Sequence, residues 1–311
     1  MSFITRSAEL PRYGKYPGAR PIGELLENGI VVLDKWPGPT SHDVASMVKN
    51  VLGRAKAGHG GTLDPMVSGV LVITLDNACK VIPALQGQDK EYVGIMRLHR
   101  DVSGNELLGA VKKFTGEITQ RPPVRSAVLR RERKRTVHGF EILEHKDRDV
   151  LFRVRCEAGT YVRVLCHKIG ELLGGAHMKE LRRTAAGRFT EADAVRIHDI
   201  ADAYADWKEK GSEDIRNYVL PVEAAAEHLG KIIIKDSAVY SVANGSPLYS
   251  TGISRIEDTV KKGGMVALLT LRGEFVALGR AEMDATDKRK GVAAKIDRVI
   301  MKEPYPNSRF K

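Results

Sequence analysis

LFRVRCEAGTYVRVLCHKIGELL, residues 151–173, carries two periodicities in one run. From Leu151 to Glu157 apolar and charged residues alternate, with Phe152, Val154 and Cys156 on one side and Arg153, Arg155 and Glu157 on the other. A period of two with one charged face predicts a half-solvated antiparallel strand. From Val162 the apolar residues fall at helical spacing: Val162, Leu165, Cys166, Ile169, Leu172 and Leu173. They form one stripe of an amphipathic helix, which Gly174-Gly175 stops. Tyr161 and Arg163 stand at the mouth of this helix and off its stripe, so both can project into a cleft. An arginine there can orient a carboxylate through two parallel hydrogen bonds; without a partner it is an exposed helix residue.

Upstream, Ile30 to Leu33 is a short apolar strand ending at Asp34, and Pro37-Gly38-Pro39-Thr40 is a turn. Ser41 is expected to cap a helix whose apolar face is Val44, Val48, Val51 and Leu52. Val70 to Leu75 reads as a buried strand and Tyr92 to Leu98 as another. Strands and helices mix without a steady βαβ repeat. The expected class is therefore α+β, a mixed, mainly antiparallel central sheet with flanking helices. Residues 1–29, rich in Pro, Gly and charge, read as an arm or loop. After Gly230 short β runs (Ile232–Ile234, Met265–Leu271, Glu274–Leu278) are punctuated by turn residues, which predicts a small C-terminal β-barrel. The division expected is 1–29, 30–228 and 231–306, with the boundary near 222–230.

Gly58-His59-Gly60-Gly61-Thr62-Leu63-Asp64-Pro65 is not a phosphate-binding P-loop, because no Lys follows in the required frame. Pro65 pushes Asp64 toward extended geometry. One carboxylate is thus held in a stiff loop, suited to act as nucleophile or general base, or simply to cap a turn. Tyr92 opens the strand of Lys90-Glu91-Tyr92-Val93-Gly94, where an ordinary strand aromatic is the plainer reading.

The chain of 311 residues has 50 Lys and Arg against 39 Asp and Glu, a net charge of +11. With 42% hydrophobic and 29% charged residues a sizeable core is affordable and global disorder is excluded. A chain this basic favours a polyanionic partner, nucleic acid before an anionic membrane surface. Between Arg121 and His138 seven basic residues (Arg121, Arg125, Arg130, Arg131, Arg133, Lys134, Arg135) meet one acid, Glu132. From Glu191 to Glu227 ten acids meet four bases, which reads as a solvated helical face or a second interaction surface. No apolar run reaches the ~18 residues of a spanning helix, and the N-terminus lacks the apolar stretch of a signal peptide, so a cytoplasmic, membrane-free protein is expected. Three cysteines without CxxC spacing argue against disulfides and a zinc site, and no other metal or cofactor motif is present. Pattern and composition by themselves reach a basic two-domain protein with one candidate carboxylate site.

The assembled motifs resemble the RNA pseudouridine synthases of the TruB/dyskerin family, and within it the archaeal catalytic subunit of the H/ACA guide-RNA particle. The matching stretches are LDKWPGPTSHDV (33–44), GHGGTLDPMVSGVL (58–71), KEYVG (90–94), QRPPVRSAV (120–128), GTYVRVLCHKIG (159–170), ELRRTAAGRF (180–189) and KIDRVIMKEPYP (295–306). The resemblance implies a cofactor-free isomerase in which Asp64 is the catalytic aspartate and Arg163 its partner. It further implies that Tyr161 assists the C5 proton, Tyr92 stacks on the uracil, Leu181 walls the pocket and His59 braces the flipped RNA. The basic window 121–138 corresponds to a flexible loop closing on RNA, its arginines and Lys134 contacting phosphates. Residues 231–306 resemble a PUA domain that grips guide RNA, with 30–228 as the catalytic domain and 1–29 packed beside the barrel. Implied partners are tRNA, rRNA, H/ACA guide RNA and the small particle proteins: Gar-type, Nop-type and the ribosomal-type kink-turn binder. A stand-alone synthase for the TΨC-loop uridine of tRNA and a non-catalytic RNA-binding scaffold are the alternatives. Trp36, His138 and Gly264 depart from the family pattern.

Overall fold

β-branched runs and alternating strands dominate the first two thirds of the chain, and they assemble one large sheet. The computed structural model describes residues 2–121, 131–302 and 304–306. In chain order these form β1 (Phe3–Thr5), α1 (Ile22–Glu27), β2 (Gly29–Lys35), α2 (Ser41–Val51), β3 (Ala57–His59), β4 (Ser68–Leu75), α3 (Ile82–Gln86), β5 (Lys90–Leu98), α4 (Gly104–Lys112) and β6 (Gly116–Gln120). There follow β7 (Arg133–Lys146), β8 (Asp149–Cys156), α5 (Val162–Glu171), β9 (Ala176–Ala186), β10 (Phe189–Thr190), α6 (Ile197–Lys210) and β11 (Leu220–Pro221). The C-terminal part holds β12 (Gly230–Ile234), α7 (Asp236–Ala243), β13 (Leu248–Tyr249), β14 (Ile253–Glu257), β15 (Met265–Leu269), β16 (Phe275–Ala281) and β17 (Val292–Val299).

The large sheet has ten strands in the order β11-β2-β4-β9-β5-β8-β7-β6, with β3 on β4 and β10 on β9. Its pairs are antiparallel except β4 with β9, which run parallel at Ser68↔Arg182 and Gly69↔Arg183. This is the mixed, mainly antiparallel sheet with flanking helices that the sequence predicts. The alternation in β8 is confirmed residue by residue: Phe152, Val154 and Cys156 are buried while Arg153 and Arg155 are exposed. α5 buries Val162, Leu165, Cys166 and Ile169 against the same core and Leu173 is buried just past its end, but Leu172 of the expected stripe is exposed at the C-cap.

A seven-stranded sheet, β1-β14-β12-β15-β16-β17-β13, follows. Ile30, Val32, Val70 and Val72 of the large sheet share one apolar cluster with Ala267, Phe275 and Leu278 of the smaller one. The two sheets are thereby joined by a buried seam.

Four local expectations need correction. The N-terminal stretch is not merely an arm: β1 pairs with β14, and α1 buries Ile22, Leu25 and Leu26 in the main core. The cap of α2 is Thr40 rather than Ser41, in a capping box with Asp43. Ser41 is buried one residue later, where its hydroxyl serves another loop. Residues 133–138 of the basic window are not loop but the first half of β7, zipped to β6 from Gln120↔Arg133 to Gly116↔Val137. In the C-terminal part, the helix α7 stands where only strands are expected.

Candidate active site

The loop between β3 and β4 carries Asp64, and almost every second residue of it is fastened. Gly60 N–H donates to Val72 O at 2.8 Å. Leu63 N–H donates to Ser41 Oγ at 2.8 Å, and the same hydroxyl lies 3.1 Å from Leu63 O. Lys35, fully buried at the end of β2, donates its ammonium to the carbonyls of Trp36 (2.9 Å), Pro65 (2.8 Å) and Val67 (2.9 Å). Gly38 N–H adds a second bond to Pro65 O. Leu63 and Val67 are buried anchors on either side, while the Asp64 side chain stays 44% exposed. The backbone is rigid and the carboxylate is open.

Arg163 reaches the carboxylate from the first turn of α5, its Nη1 standing 3.3 Å from Asp64 Oδ2. The contact is looser than the two-pronged pair expected, the form that Arg182 makes with Asp34 at 2.9 and 3.0 Å. Tyr161 immediately precedes α5. Its N–H donates to Gln120 Oε1 (3.0 Å) and its carbonyl accepts from Gln120 Nε2 (3.2 Å). Gln120 is buried and does for this helix start what a capping side chain does elsewhere.

Tyr92 lies on β5 between Val154 of β8 and Arg183 of β9. Burial pushes its phenol above the ordinary range; the charge of the Arg183 guanidinium works in the opposite direction, while Cys156 and Asp64 add to the rise. Leu181 is buried opposite Gly94 of β5, where any Cβ would meet Leu181 Cδ1 at 2.7 Å and Phe152 Cζ at 2.9 Å. His59 is half-buried at the end of β3, its Nδ1 without a hydrogen-bond partner among the described residues. Burial first, then Arg183 and His42, hold its imidazole toward the neutral form. The structure thus brings Arg163 onto Asp64, with Tyr161 two residues before Arg163 at the start of α5, while Tyr92 and Leu181 lie on the neighbouring strands β5 and β9.

Three cations that sequence reasoning passes over are buried beside the Asp64 loop and the start of β5. Arg183 is 2% exposed; its Nε donates to Val70 O (2.7 Å) and its Nη2 to Gly61 O (3.2 Å). Lys90 is buried and donates to the carbonyls of Gln88 (2.6 Å) and Gln86 (3.0 Å). Burial and Arg183 push its ammonium down to about 8. Lys35 is the third, lowered by burial and by Arg183 while Asp64 opposes the shift. Among the described residues none of the three is ion-paired, and each is satisfied by backbone carbonyls instead. Lys and Arg read as surface residues in a sequence, so only the KEYVG and RRT contexts could have pointed to Lys90 and Arg183.

The basic window divides. Lys134 pairs with Glu117 at 2.9 Å and Arg135 with Glu157 at 3.4 Å, so these two are not free for phosphates without competition. Arg121 and Arg131 are exposed, and the Nε of Arg133 is buried without a partner among the described residues. Arg125 and Arg130 lie outside the described residues. Among the described residues no three His, Cys, Asp or Glu are grouped to hold a metal, and no helix is long and apolar enough to cross a membrane.

Comparison with known proteins gives the family. Residues 49–110 and 99–162 match the N-terminal domain of TruB family pseudouridylate synthase, 163–227 the tRNA pseudouridylate synthase B C-terminal domain, 230–300 the PUA domain and 3–45 the DKCLD domain. The "Probable tRNA pseudouridine synthase B" of Methanopyrus kandleri is 52% identical over 96% of this chain and 90% of its own length; that of Pyrococcus abyssi is 51% identical over 95% and 91%. Among solved structures, a Cbf5-Nop10-Gar1 complex matches with TM-score 0.91 at 48% identity, covering 96% of this chain and 94% of the other. An H/ACA RNP bound to a substrate RNA containing 2′-deoxyuridine matches with TM-score 0.90 at 45% identity, covering 98% and 96%. The chain belongs to the TruB family of pseudouridine synthases, isomerases with a PUA domain.

Proposed function

We propose that the chain converts uridine to pseudouridine in tRNA and rRNA as the catalytic subunit of a guide-RNA particle, with Asp64 as the catalytic carboxylate. The reaction breaks the bond from C1′ to N1, turns the uracil and joins C1′ to C5; the C5 proton leaves and N1 gains one. No redox change or group donor is required. A base within a stem cannot reach a side chain, so the uridine must be flipped out of its stack. Asp64 works at the sugar, where its exposure leaves room for C1′, and Arg163 holds it in orientation. Tyr92 offers the uracil an aromatic face that offsets part of the lost stacking, about 1–3 kcal/mol per base. Leu181 closes the apolar side, and Tyr161 lies beside the uracil and helps its C5 proton leave. His59 braces the extruded strand, and Arg121, Arg125, Arg130, Arg131, Arg133, Lys134 and Arg135 supply phosphate contacts.

Similarity to complexes containing Nop10, Gar1 and substrate RNA supports the same partners here: Nop-type and Gar-type proteins, a kink-turn-binding protein and H/ACA guide RNA. We read 30–228 as the catalytic domain, 231–306 as the guide-gripping PUA domain, 1–29 as a segment stitched to both, and the setting as cytoplasmic.

The observation that carries this reading is the Asp64–Arg163 pair, its carboxylate open to solvent on a loop whose backbone is fastened by Lys35 and Ser41. Unmodified rRNA and tRNA are incubated with the protein, alone and with guide RNA and the particle proteins, and pseudouridine is counted. Conversion at the guide-specified uridine only in the complete mixture is expected. Conversion of tRNA without additions supports stand-alone action, and unaltered RNA in every mixture leaves a scaffold.

A further inference from the structure

Asp64, Pro65, Met66 and Val67 make one tight turn, closed by Val67 N–H donating to Asp64 O at 3.0 Å. Asp64 opens the turn and Met66 takes its third position. Proline in the second position presets the backbone angle that such a turn needs. The turn is fastened on both sides of Met66. Lys35 Nζ donates to Pro65 O at 2.8 Å and to Val67 O at 2.9 Å, Gly38 N–H donates to Pro65 O at 2.9 Å, and Leu63 and Val67 are buried. The Met66 side chain is left outside. It is 74% exposed, more than any other large apolar side chain between 30 and 228 among the described residues. A single exposed apolar residue on a loose loop asks for no explanation. Here a buried ammonium holds the backbone, and two positions back stands the carboxylate read as catalytic, itself open to solvent. Presenting an apolar side chain so firmly to water gains nothing for the free protein; it gains where an apolar surface arrives.

The surface that arrives is a stack of bases. Flipping the target uridine onto Asp64 leaves a gap beside its neighbour, and the lost stacking favours the base falling back. Successive Cα atoms are about 3.8 Å apart, so the Cα of Met66 lies within about 7.6 Å of that of Asp64 and the gap opens within its reach. Proteins that unstack nucleic acid insert apolar side chains, methionine among them, between base steps. The methionine side chain is unbranched, and its polarizable sulfur packs well against aromatic rings. We propose that Met66 is the wedge of this site: as the uridine swings to Asp64, the thioether enters the vacated space and rests on the adjoining base, holding the strand open. The fastening of the turn makes the insertion effective, because a loose loop would give way instead of the stack.

This proposal rests on the reading of Asp64 as the catalytic carboxylate, and its test separates the two. Three full-length proteins, the unmodified chain, Met66→Ser and Met66→Leu, are each assembled with guide RNA and partner proteins. Single-turnover pseudouridine formation and RNA affinity are measured on an intact target RNA and on two others, in which an abasic site replaces the 5′ or the 3′ neighbour of the target uridine. Met66→Ser is expected to slow the reaction on the intact RNA about 10-fold, the scale of one lost base contact, with RNA affinity changed less than about 3-fold. Met66→Leu keeps the apolar volume and is expected to recover most of that loss. On at least one abasic RNA the gap between Met66→Ser and the unmodified protein is expected to shrink below about 3-fold, because the base on which the thioether rests is gone. An undiminished rate for Met66→Ser, the same slowing on all three RNAs, no recovery with leucine, or a loss of affinity as large as the loss of rate overturns the proposal. Met66 is exposed, so these variants are expected to fold with unchanged melting temperatures. If the unmodified protein forms no pseudouridine on any RNA, the functional reading has failed. The wedge is then judged by the fluorescence of 2-aminopurine placed at each neighbour in turn: a rise on binding that Met66→Ser loses supports it, and the same signal from both proteins contradicts it.

Discussion

Arg163 Nη1 stands 3.3 Å from Asp64 Oδ2, with half of the arginine side chain open to solvent. The pair joins a helix start to a loop fastened by Lys35 and Ser41. An exposed ion pair of this length contributes little to folding. Its value lies in fixing where the carboxylate points. Arg163→Ala should therefore lower turnover by about 100-fold while RNA affinity falls less than about 3-fold, since affinity rests on many phosphate contacts. Single-turnover rates and filter binding on the same preparations check this. Equal losses in both would make Arg163 a phosphate contact.

Lys35 is the fastener of the loop. Its ammonium serves three carbonyls, two of which flank Met66 just past the aspartate. Lys35→Met removes an expensive buried charge but strands these acceptors, each worth about 1–3 kcal/mol when left unsatisfied. The expected net loss is about 3 kcal/mol, read from urea unfolding midpoints. An unchanged midpoint would show the ammonium to be dispensable.

Gly69 marks where β4 meets β9. Its φ of +100° lies in the left-handed region, and a Cβ there would stand 2.2 Å from Arg183 O. Gly69→Ala must push the two strands apart at the ladder joining them, Ser68↔Arg182 and Gly69↔Arg183. A loss of about 3 kcal/mol or more is expected, on the scale of steric disruption in a packed core. Calorimetry checks it, and a wild-type melting temperature would contradict the packing described.

Lys90 gives stability a pH dependence of definite sign. Its native ammonium is pushed down to about 8 from the ordinary 10.5. Below pH 8 both the folded and unfolded chains bind the proton. Between pH 8 and 10.5 the unfolded chain still binds it while the folded chain has released it, so this group makes stability rise with pH in that window. Lys90→Met removes the rise. Relative to the variant, the unmodified protein should gain on the order of 3 kcal/mol between pH 7.5 and 10.5. A difference that stays flat across that range would show that the amine keeps its proton when folded.

Local periodicity made part of this molecule legible before any coordinates. The alternation of Phe152, Val154 and Cys156 and the stripe from Val162 to Leu173 were enough for β8 and α5, because each is written in side chains a few residues apart. Asp64, Arg163 and Tyr161 stood out for a related reason: they sit at breaks between such patterns. What the pattern does not contain is register. Tyr92 meets Arg183, and Gly94 meets Leu181, only through the β5·β9 pairing. The burial of Lys35, Lys90 and Arg183 is invisible because their partners are backbone carbonyls, which every sequence has and none displays. Likewise β1 finds its edge on β14 at the far end of the chain, and Ile22, Leu25 and Leu26 are hidden among the prolines and glycines that suggested a loose arm.

The central claim is that Asp64 carries out the isomerisation. Asp64→Asn keeps the size and the loop backbone while removing the charge. The direct measurement is pseudouridine formed per RNA at the target uridine, alongside RNA affinity, for this variant and the unmodified protein in the assembled particle. The account predicts RNA binding within about 3-fold and no detectable pseudouridine from Asp64→Asn. Turnover retained by the variant would contradict it outright.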